Sequence, residues 1–435
     1  MKLDLAYGKE RVTTDLDWGQ CLGVLDIADV PELPDVRAAV EDVLHNPIGM
    51  DRSIFDIVRP GETVAIIVSD SFRATRSAQF LPPLIKGLNE AGIKDKDICF
   101  LSATGTHRAP TPEEYAVILG PDLYARFKDR AYINDAHKAG EHAFMGTTSR
   151  GTPVYFDKRV CDADRVIATG SVVLHYFGGF GGGRKSILPG IATVETISHN
   201  HSMNLDPNED RLNPNVAIGK TTGNPVAEDM LEGSKFLHVD FLLNTVLNRH
   251  GRISGIFAGD LEAAHEKACA FARELFAVHI DTRADLVIAS TGAIKNFVQT
   301  HKALFNAYQA VKPGGRIIML CQCPEGLGGE QFVKWLRLGS REAIIAGLRK
   351  QAEINGQTAL STRQKAPITL FVTALSDADV ALLGGRKAAN LDDALAIAQA
   401  ELEADGIANP TYYVMPSAPY TVPFATDPAA VTIQG

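Results

Sequence analysis

The segment TVAIIVSDSFRATRSAQFLPPLIKGLNEAG, residues 63–92, contains the pattern on which the fold prediction rests. Its first part is a continuous apolar run that ends in an acid, as expected for a strand buried on both faces of a parallel sheet. Its second part, residues 80–92, has the apolar spacing of a helix and ends in glycine. A strand followed by a helix is the repeating unit of α/β proteins, so this segment predicts a parallel sheet covered by helices.

The same alternation of strand and helix continues along most of the chain. Strands are also predicted at 98–107, 162–172, 284–291, 314–321, 366–375 and 410–416, and helices at 112–120, 261–276 and 392–406. The fold class is therefore α/β, with two α/β domains whose mostly parallel sheets surround an interdomain cleft. Active groups in such proteins gather beyond the carboxyl ends of the strands.

The length of the chain sets the expected number of domains. A chain of 435 residues is too long for one hydrophobic core, so we expect two domains. We predict an N-terminal domain at 1–260, a helical interdomain connection at 261–280 and a C-terminal domain at 281–435. The connection lies in the charged helical run LEAAHEKACAFARELF.

Composition and charge narrow the functional class. The chain has 43 basic and 52 acidic residues and a formal charge of -9, which argues against nucleic acid or an anionic membrane as its partner. No apolar run approaches the roughly 20 residues of a membrane span, and the charged N-terminus does not resemble a signal peptide. The six cysteines form no C-x-x-C pair, and Cys321 and Cys323 are interpreted as a buried strand end. We predict a cytoplasmic protein with reduced cysteines.

Two loops that follow predicted strands carry groups suited to binding or acid–base chemistry. The first, SDSFRATR at 69–76, contains Asp70 and Arg73, and arginine forms paired hydrogen bonds with carboxylates and phosphates. Its alternative interpretation is a helix cap with solvated arginines. The second, TGTHRAP at 104–110, contains His107, which can titrate near neutral pH, although a loop histidine is often merely solvated.

The strongest candidate is the glycine-rich segment HYFGGFGGGRKSILPG at 175–190. It is not a P-loop, because Arg184 stands where the second glycine of that motif is required, and the dinucleotide-binding pattern fails at the same residue. What remains is a tightly turned or flexible backbone that holds Arg184 and Lys185 near an anion, with the lysine amine available for covalent use. A purely structural glycine turn is the alternative.

Two further segments contribute candidate ligands. ISHNHS at 197–202 contains His199 and His201, which diverge on a helix, so we expect only one of them to act. A single imidazole is too few for a metal held by protein alone. Gln299 and Lys302 are three residues apart and share a helix face that would favour anions near the helix N-terminus, with a solvated face as the alternative.

The run HYFGGFGGGRKSILPGIA, with GTHR upstream, closely resembles the nickel-dependent lactate racemase family. The resemblance runs through the chain in order. It includes Asp70, Arg73, His107, His175, Lys185, His201, Gln299 and Lys302. Members of that family fold as two α/β domains around a cleft, so the resemblance implies the same fold that the strand–helix alternation predicts independently.

The resemblance also implies a cofactor: nickel in a nickel-pincer nucleotide of the pyridinium-3-thioamide-5-thiocarboxylic acid mononucleotide type. Lys185 would attach this cofactor covalently, and His201, which directly follows an asparagine, would be the protein ligand to nickel in preference to His199. The other cofactor-binding residues that the resemblance implies are Asp70, Gly181, Gly182, Gly183 and Arg184. Dedicated maturation enzymes are implied as the partners that supply the cofactor.

The implied activity is that of an isomerase, a racemase or epimerase that acts on a 2-hydroxy acid by reversible hydride transfer through a 2-keto acid. A hydrogen α to a carboxylate is a poor acid, and its removal as hydride avoids a carbanion. His107 and His175 would serve as bases for the two orientations of the hydroxyl, with Lys302 as a further catalytic residue. Arg73, Gln299 and Lys302 would hold the carboxylate and polarise the substrate oxygen.

Departures from the family pattern bear on the substrate. Phe72 stands where the family usually has a small hydroxyl residue, and Val298 stands where a tyrosine commonly precedes the glutamine. The second-domain loop also lacks the usual Gly-Gly-Tyr-Pro sequence. A lactate-like substrate is expected, with a larger or more polar 2-hydroxy acid as the alternative that His301, Lys295 and Arg76 would serve.

Two other functions remain open on the residues alone. One is a phosphate-handling enzyme that uses the glycine-rich loop and Lys185, with the failed P-loop spacing against it. The other is a non-catalytic two-domain protein that binds an organic anion.

Overall fold

The computed structural model describes residues 1–426. Its strands are β1 (Lys2–Tyr7), β2 (Glu10–Asp15), β3 (Gln20–Val24), β4 (Val64–Ser69), β5 (Ile98–Ala103), β6 (Ala131–Ile133), β7 (His142–Thr147), β8 (Pro153–Asp157), β9 (Arg165–Ser171), β10 (Leu174–His175), β11 (Gly179–Phe180), β12 (Phe241–Leu247), β13 (Ile253–Gly259), β14 (Ala277–Ile280), β15 (Ala284–Ser290), β16 (Val311–Leu320), β17 (Thr369–Val372), β18 (Arg386–Ala388), β19 (Thr411–Met415) and β20 (Val422–Ala425). Its α-helices are α1 (Val36–His45), α2 (Ile54–Ile57), α3 (Ser77–Glu90), α4 (Pro112–Leu119), α5 (Pro121–Phe127), α6 (Lys158–Cys161), α7 (Val194–Ser202), α8 (Pro225–Ser234), α9 (Leu261–Phe276), α10 (Phe297–Ala310), α11 (Glu330–Leu336), α12 (Arg341–Lys350), α13 (Ile354–Lys365), α14 (Asp377–Leu383) and α15 (Leu391–Ala404). Within residues 1–426, every helix is too short or too polar to cross a membrane.

The chain divides into two compact units, each assembled from separate segments. Unit 1 contains Met1–Ala28, Asn204–Pro214 and the described part of Phe276–Gly435. Unit 2 contains Asp29–Met203 and Asn215–Leu275. Each unit is organised around its own six-stranded sheet, so the predicted α/β class with mostly parallel sheets is confirmed.

The sheet of unit 2 has the strand order β13-β12-β9-β4-β5-β6. All neighbouring pairs in it are parallel except β12 with β13, which is antiparallel. The segment 63–92 behaves as predicted: β4 occupies the middle of this sheet and α3 follows it. Side chains of β4 point alternately into two hydrophobic clusters, with Val64, Ile66 and Val68 in one and Ala65 and Ile67 in the other. Burial on both faces is the physical reason for its unbroken apolar run.

The sheet of unit 1 has the order β18-β17-β16-β15-β19-β3, and every pairing in it is parallel. Its central strand β15 is buried on both faces in the same way, with Leu286 and Ile288 on one side and Val287 and Ala289 on the other. Cys321, directly after β16, is buried among apolar side chains, as the interpretation of a buried strand end requires.

The N-terminal residues are the main departure from the predicted domain boundaries of 1–260, 261–280 and 281–435. Helix α9 occupies the predicted range Leu261–Phe276, and the chain passes from unit 2 to unit 1 at its end. Residues 1–28, however, belong to unit 1, because β3 pairs with β19 near the other end of the chain. Because β3 and β19 are far apart in the sequence, no local pattern indicates that they pair. Sequence patterns therefore place residues 1–28 in the same domain as the residues that directly follow them.

Candidate active site

Three loops of unit 2 meet at one edge of its sheet. Strands β9, β4 and β5 are adjacent and parallel, so their carboxyl ends lie side by side. Asp70 directly follows β4, His107 lies four residues beyond β5, and His175 lies four residues beyond β9. The predicted convergence of these loops is therefore what the sheet topology produces.

Asp70 and His107 form a hydrogen-bonded pair. The Oδ2 atom of Asp70 lies 2.6 Å from Nδ1 of His107, and Oδ1 accepts the backbone N–H of Phe72 at 3.1 Å. The carboxylate is buried, while the imidazole is 41% exposed. Because a carboxylate accepts hydrogen bonds, Nδ1 of His107 carries the hydrogen, which leaves Nε2 as the basic atom of a neutral ring. The pair has the geometry of an oriented general base.

Phe72 and Arg73 lie beside this pair. Phe72 is 48% exposed, and its ring centroid is 5.1 Å from that of His107. The guanidinium carbon of Arg108 lies over the Phe72 ring, 5.1 Å from its centroid. Arg73 is exposed, and its backbone N–H donates to the carbonyl of Asp70 at 3.2 Å. The loop therefore presents an aromatic ring and a cation next to the imidazole.

His175 is held by the small hairpin of β10 and β11, in which it pairs with Gly179. Its Nδ1 accepts the backbone N–H groups of Phe177 and Gly178, each at 3.2 Å. A neutral His175 therefore carries its hydrogen on Nε2, which lies 3.3 Å from Nζ of Lys185. In their neutral forms, His107 therefore carries its hydrogen on Nδ1 and His175 carries its hydrogen on Nε2. The two imidazoles thus differ in their tautomer.

Lys185 belongs to a short 3₁₀ helix, Gly183–Ser186, that follows the glycine-rich turn. Burial, reinforced by the positive charges of Arg73 and Arg184, holds the pKa of the Lys185 amine well below its usual range. A lowered pKa favours the neutral form of the amine, which is the form that acts as a nucleophile.

The glycine-rich segment is a tight turn. Gly183 has φ of +51°, and a Cβ there would lie 2.4 Å from the ring of His265, so a side chain is excluded. The N–H of Gly181 donates to the carbonyl of Val173 at 2.9 Å, and that of Gly183 to Oδ1 of Asn244 at 2.9 Å. These two backbone groups, predicted to bind a cofactor, stabilise the loop itself in this structure.

Arg184 is buried inside the same loop. Its Nη2 donates to the carbonyl of Gly178 at 2.7 Å, and Nη1 lies 3.4 Å from Nδ1 of His265. Its Nε, also buried, has no hydrogen-bond partner among the described residues. The guanidinium therefore stabilises the glycine-rich turn through its hydrogen bond to Gly178, while its Nε–H is left to donate to a bound group.

The two histidines of α7 have different surroundings. His201 is buried against the ring of Phe177, with centroids 4.5 Å apart, and burial reinforced by Lys185 lowers its pKa to about 3. His199 is half-buried, and its Nδ1 lies 2.9 Å from Oγ1 of Thr152. Phe177 also packs against His175, so His201 belongs to the cluster that contains Lys185 and His175.

The donor set suits a bound metal-carrying group better than a metal held by protein alone. In residues 1–426, no group of three or more His, Cys, Asp or Glu side chains is arranged to hold a metal ion. The cluster offers the imidazole of His201, the amine of Lys185, both with lowered pKa values, and the spare donor of Arg184. Such a set fits a cofactor that brings most of the metal ligands itself.

The remaining predicted site residues lie on α10 of unit 1. Gln299 and Lys302 are both exposed on this helix, so they share a solvent-facing side as predicted. The helix begins after Asn296, whose side chain caps the N–H of Gln299 at 3.2 Å. Both residues thus stand in the first two turns, where a helix favours anions.

The residues proposed for a more polar substrate have other contacts. Lys295 forms an ion pair with Glu325 at 3.4 Å, and Nε of Arg76 donates to the carbonyl of Gly251 at 2.6 Å. His301 is buried, with Nε2 2.9 Å from Oγ of Ser361. The two roles predicted for His301, a substrate ligand or a solvated surface residue, are both wrong. His301 lies on the buried face of α10, within the core of unit 1.

Sequence reasoning missed two buried polar groups. One is Lys365 on α13, which lies beside Ser361 and has no motif around it. The other is Asp229 on α8, which receives hydrogen bonds from Thr152 and Asn200. Both follow ordinary helical patterns, so the sequence carries no signal beyond a polar residue at an apolar position.

Comparison with known proteins gives consistent matches over most of the chain. A family profile described as the lactate racemase N-terminal domain matches residues 7–212, and one described as the lactate racemase C-terminal domain matches residues 280–409. A lactate racemase of Thermoanaerobacterium thermosaccharolyticum is 33% identical over 342 residues, 77% of this chain and 78% of that protein. A lactate racemase of Lactiplantibacillus plantarum is 33% identical over 336 residues, 76% of this chain and 77% of that protein.

Solved structures agree. The lactate racemase apoprotein from T. thermosaccharolyticum superposes with a TM-score of 0.85 at 28% identity, covering 98% of this chain and 100% of that one. A Thermotoga maritima protein matches with a TM-score of 0.64 at 17% identity, covering 92% of this chain and 100% of that one. The second match supports the fold alone.

Proposed function

The chain belongs to the lactate racemase family and is an isomerase, and on that premise we propose that it inverts the configuration at C2 of a lactate-like 2-hydroxy acid. The observation that carries the proposal is that two histidines, His107 and His175, lie on loops at one sheet edge, with Lys185, whose pKa is held well below its usual range, beside His175. Inversion at a carbon that bears a hydroxyl requires one group that takes the hydroxyl proton and one that returns it.

We propose that the bound group is nickel in a nickel-pincer nucleotide, attached through Lys185 with His201 as the protein ligand to nickel. Such a cofactor supplies an electrophilic centre that takes up the C2 hydrogen with its electron pair and gives it back. The low pKa of Lys185 supports covalent attachment, because a neutral amine is nucleophilic. The low pKa of His201 supports ligation, because an imidazole binds metal only without its second proton.

The proton chemistry belongs to this chain's own residues. Nε2 of His107 accepts the proton of the 2-hydroxyl as the C2 hydrogen leaves, and Asp70 stabilises the imidazolium that results. The product of this step is a bound 2-keto acid. When its carbonyl presents the opposite face, His175 in its imidazolium form would return a proton to the oxygen and become a neutral imidazole, as the hydrogen is added back and the configuration is inverted. The reverse direction exchanges the two roles.

Substrate binding is proposed for Arg73, Gln299 and Lys302. Arg73 can pair with the carboxylate through two hydrogen bonds, and its exposed position leaves the guanidinium accessible. Lys302 and Gln299 would donate to the substrate oxygens, and the charge of Lys302 would stabilise negative charge that develops on them. Lys302 is therefore placed among both the binding and the catalytic residues.

The substrate class is proposed to be lactate-like, with an apolar extension rather than a polar one. Lys295, Arg76 and His301 each have protein contacts, which removes the support for a hydroxy-dicarboxylate or sugar acid. Phe72, in contrast, exposes nearly half of its surface beside His107. An aromatic ring in that position favours an apolar side chain on the substrate.

The test is intact-protein mass spectrometry with nickel analysis, on protein co-produced with the cofactor maturation enzymes. We expect an adduct of mononucleotide size, mapped to Lys185, with about one nickel per chain. Lys185→Ala should lose the adduct and all racemisation of lactate.

Lys365→Ala is the matched control, because Lys365 is a second buried lysine with a lowered pKa. It should keep the adduct. Native protein without adduct or nickel, under conditions that load another family member, would contradict the proposal and favour a non-catalytic organic-anion-binding protein. An adduct retained by Lys185→Ala would overturn the assignment of the anchor.

A further inference from the structure

A buried hydrogen-bond network in unit 2 is centred on Asp229 of α8 and ends on His201. Asp229 is fully buried, and its hydrogen-bond partners among residues 1–426 are two hydroxyls and one amide. Its Oδ1 accepts the hydroxyl of Thr148 at 2.6 Å. Its Oδ2 accepts the hydroxyl of Thr152 at 2.8 Å and Nδ2 of Asn200 at 2.8 Å. Three donors around one buried carboxylate make a rigid arrangement.

The partners of Asn200 fix the orientation of its amide. Its Nδ2 donates to Oδ2 of Asp229 and also to the carbonyl of Val226 at 3.1 Å. The carbonyl of Val226 can only accept a hydrogen bond, so the NH₂ side of the amide must face it, and Oδ2 of Asp229 accepts from the same NH₂ group. The Oδ1 atom therefore faces the other way, where it lies 3.1 Å from Nδ1 of His201.

That orientation determines the tautomer of His201. An amide oxygen cannot donate, so Nδ1 of His201 must carry the hydrogen in this contact. A neutral imidazole has one hydrogen, so Nε2 is the unprotonated nitrogen. The hydrogen bond to one ring nitrogen thus decides which nitrogen can bind a metal.

We propose that Asp229, acting through Asn200, is a positioning residue that locks His201 in its Nδ1–H tautomer and presents Nε2 as the ligand atom. Outer hydrogen-bond partners of metal-binding histidines commonly act in this way. The last step, presentation to nickel, rests on the proposed function. The tautomer itself does not.

His199 provides an internal comparison because it reaches the same carboxylate by another route. The Thr152 hydroxyl gives its hydrogen to Asp229, so it can only accept from Nδ1 of His199 at 2.9 Å. One branch of the network runs from Asp229 through Thr152 to His199, and the other runs from Asp229 through Asn200 to His201. A change at Asn200 should therefore alter His201, and a change at His199 should leave His201 as it is.

The first experiment measures the tautomer in metal-free, full-length protein by long-range ¹H–¹⁵N NMR with ¹⁵N-labelled histidine. The His201 signal is assigned by its loss in His201→Gln. We expect Nδ1 of His201 to carry hydrogen and Nε2 to carry none in the native protein at neutral pH. Asn200→Ala should remove the acceptor of the Nδ1 hydrogen, so that a fraction of His201 carries its hydrogen on Nε2. His199→Gln should leave the ¹⁵N signals of His201 unchanged.

The second experiment measures how fast cofactor-loaded protein loses nickel to a chelator. We expect Asn200→Ala to weaken nickel retention by about 10- to 100-fold, as is typical for loss of an outer partner of a metal ligand. Asp229→Asn, which introduces a donor where Asn200 needs an acceptor, should weaken it in the same direction. His199→Gln should retain nickel like the native protein.

The outcomes separate the inference from the proposed function. A native His201 with hydrogen on Nε2 overturns the inference, whatever the cofactor content, and requires no variant beyond the one that assigns the signal. An unchanged tautomer and unchanged nickel retention in Asn200→Ala also overturn it. If the native protein shows the expected tautomer but takes up no adduct, the proposed function fails and the presentation to nickel fails with it, while the lock on His201 stands.

Discussion

Two histidine–lysine clusters, one in each unit, have similar local chemistry and different surroundings. In unit 2, Nζ of Lys185 lies 3.3 Å from Nε2 of His175. In unit 1, Oγ of Ser361 links Lys365 at 2.8 Å to Nε2 of His301 at 2.9 Å. Burial lowers the pKa of both lysines, that of Lys365 to about 7.

The difference between them is what surrounds the amine. Lys365 lies within a helix–helix core, with its Nζ 4.9 Å and 5.0 Å from the ring centroids of Phe305 and Tyr308 and with oxygen acceptors close by. Lys185 follows a glycine turn at the carboxyl edge of a sheet, next to other cations. A lowered pKa therefore reports burial in both clusters, but only the second cluster lies where loops gather for chemistry.

The sharpest way to test this comparison is to remove one histidine from each cluster. His175→Gln, and His107→Gln in the neighbouring loop, should lower kcat for lactate racemisation by about 10²- to 10⁴-fold, because each removes a proton-transfer group. His301→Gln should leave kcat close to native and lower the free energy of unfolding by about 1 kcal/mol through the lost hydrogen bond. Chiral chromatography of the product, with cofactor occupancy matched by mass, measures the effect. If His301→Gln lowered kcat as much as His175→Gln, the conclusion that only the cluster in unit 2 takes part in catalysis would be wrong.

The second test concerns the buried charge of Lys365. In the unfolded chain this lysine keeps its proton up to its usual pKa of 10.5, whereas in the folded protein it loses the proton near pH 7. Between these two pH values the unfolded state binds more protons than the native state, so the free energy of unfolding rises with pH. The rise is roughly 5 kcal/mol across the whole interval between the two pKa values. Lys365→Met should lack this rise and be the more stable protein below pH 7.

Urea unfolding at a series of pH values measures the difference. Lys334→Met on α11 is the control, since that lysine is exposed and should contribute no such slope. A slope that is the same in native protein and Lys365→Met would show that the Lys365 charge is not buried in solution.

A third test asks whether Asp70 acts through His107. Asp70→Asn keeps the shape but can place an N–H against Nδ1 of His107, which would move the imidazole hydrogen to Nε2 and block the base. We expect kcat to fall by about 10- to 100-fold, less than on removal of the imidazole, with KM nearly unchanged. Steady-state kinetics over a pH series measures this. A change in KM alone would instead assign Asp70 to substrate binding.

The smallest expected effect concerns Phe72. Phe72→Ser should reduce the preference for 2-hydroxy acids with bulky apolar side chains over lactate by about 3- to 10-fold, the value of one aromatic contact. Val117→Ser on α4 is the control, because Val117 is 77% exposed and distant in sequence from the loop. The ratio of kcat/KM values across a panel of chiral acids is the measurement. An unchanged ratio in Phe72→Ser would remove Phe72 from substrate selection.

Much of the fold and site could be predicted because the decisive signals are local. The apolar run that became β4, the glycine turn before Lys185 and the loops after β5 and β9 all follow from neighbouring residues. Topology then brings Asp70, His107 and His175 to one edge without further information. The family resemblance added the order of the site residues along the chain, and the profile matches confirm the family.

What could not be predicted depends on distant contacts. The burial of His301 is decided by α13, more than fifty residues later, and the tautomer of His201 is decided by Asp229 on another helix. The assignment of residues 1–28 to unit 1 depends on β19. In each of these places a side chain or strand finds its partner only after the chain has folded back on itself.

The pairing of β3 with β19 has a consequence for how the protein is made. Cys21 and Tyr412 are partners in that pairing, so the N-terminal edge strand leaves the ribosome long before its neighbour is synthesised. At a translation rate of about 5–20 residues per second, it waits roughly 20 to 80 s. Unit 2, whose segments end at Leu275, can fold during that interval, whereas the sheet of unit 1 can close only near the end of translation. The nascent chain must therefore keep an unpaired strand from aggregating while the unit that holds the proposed catalytic histidines is already complete.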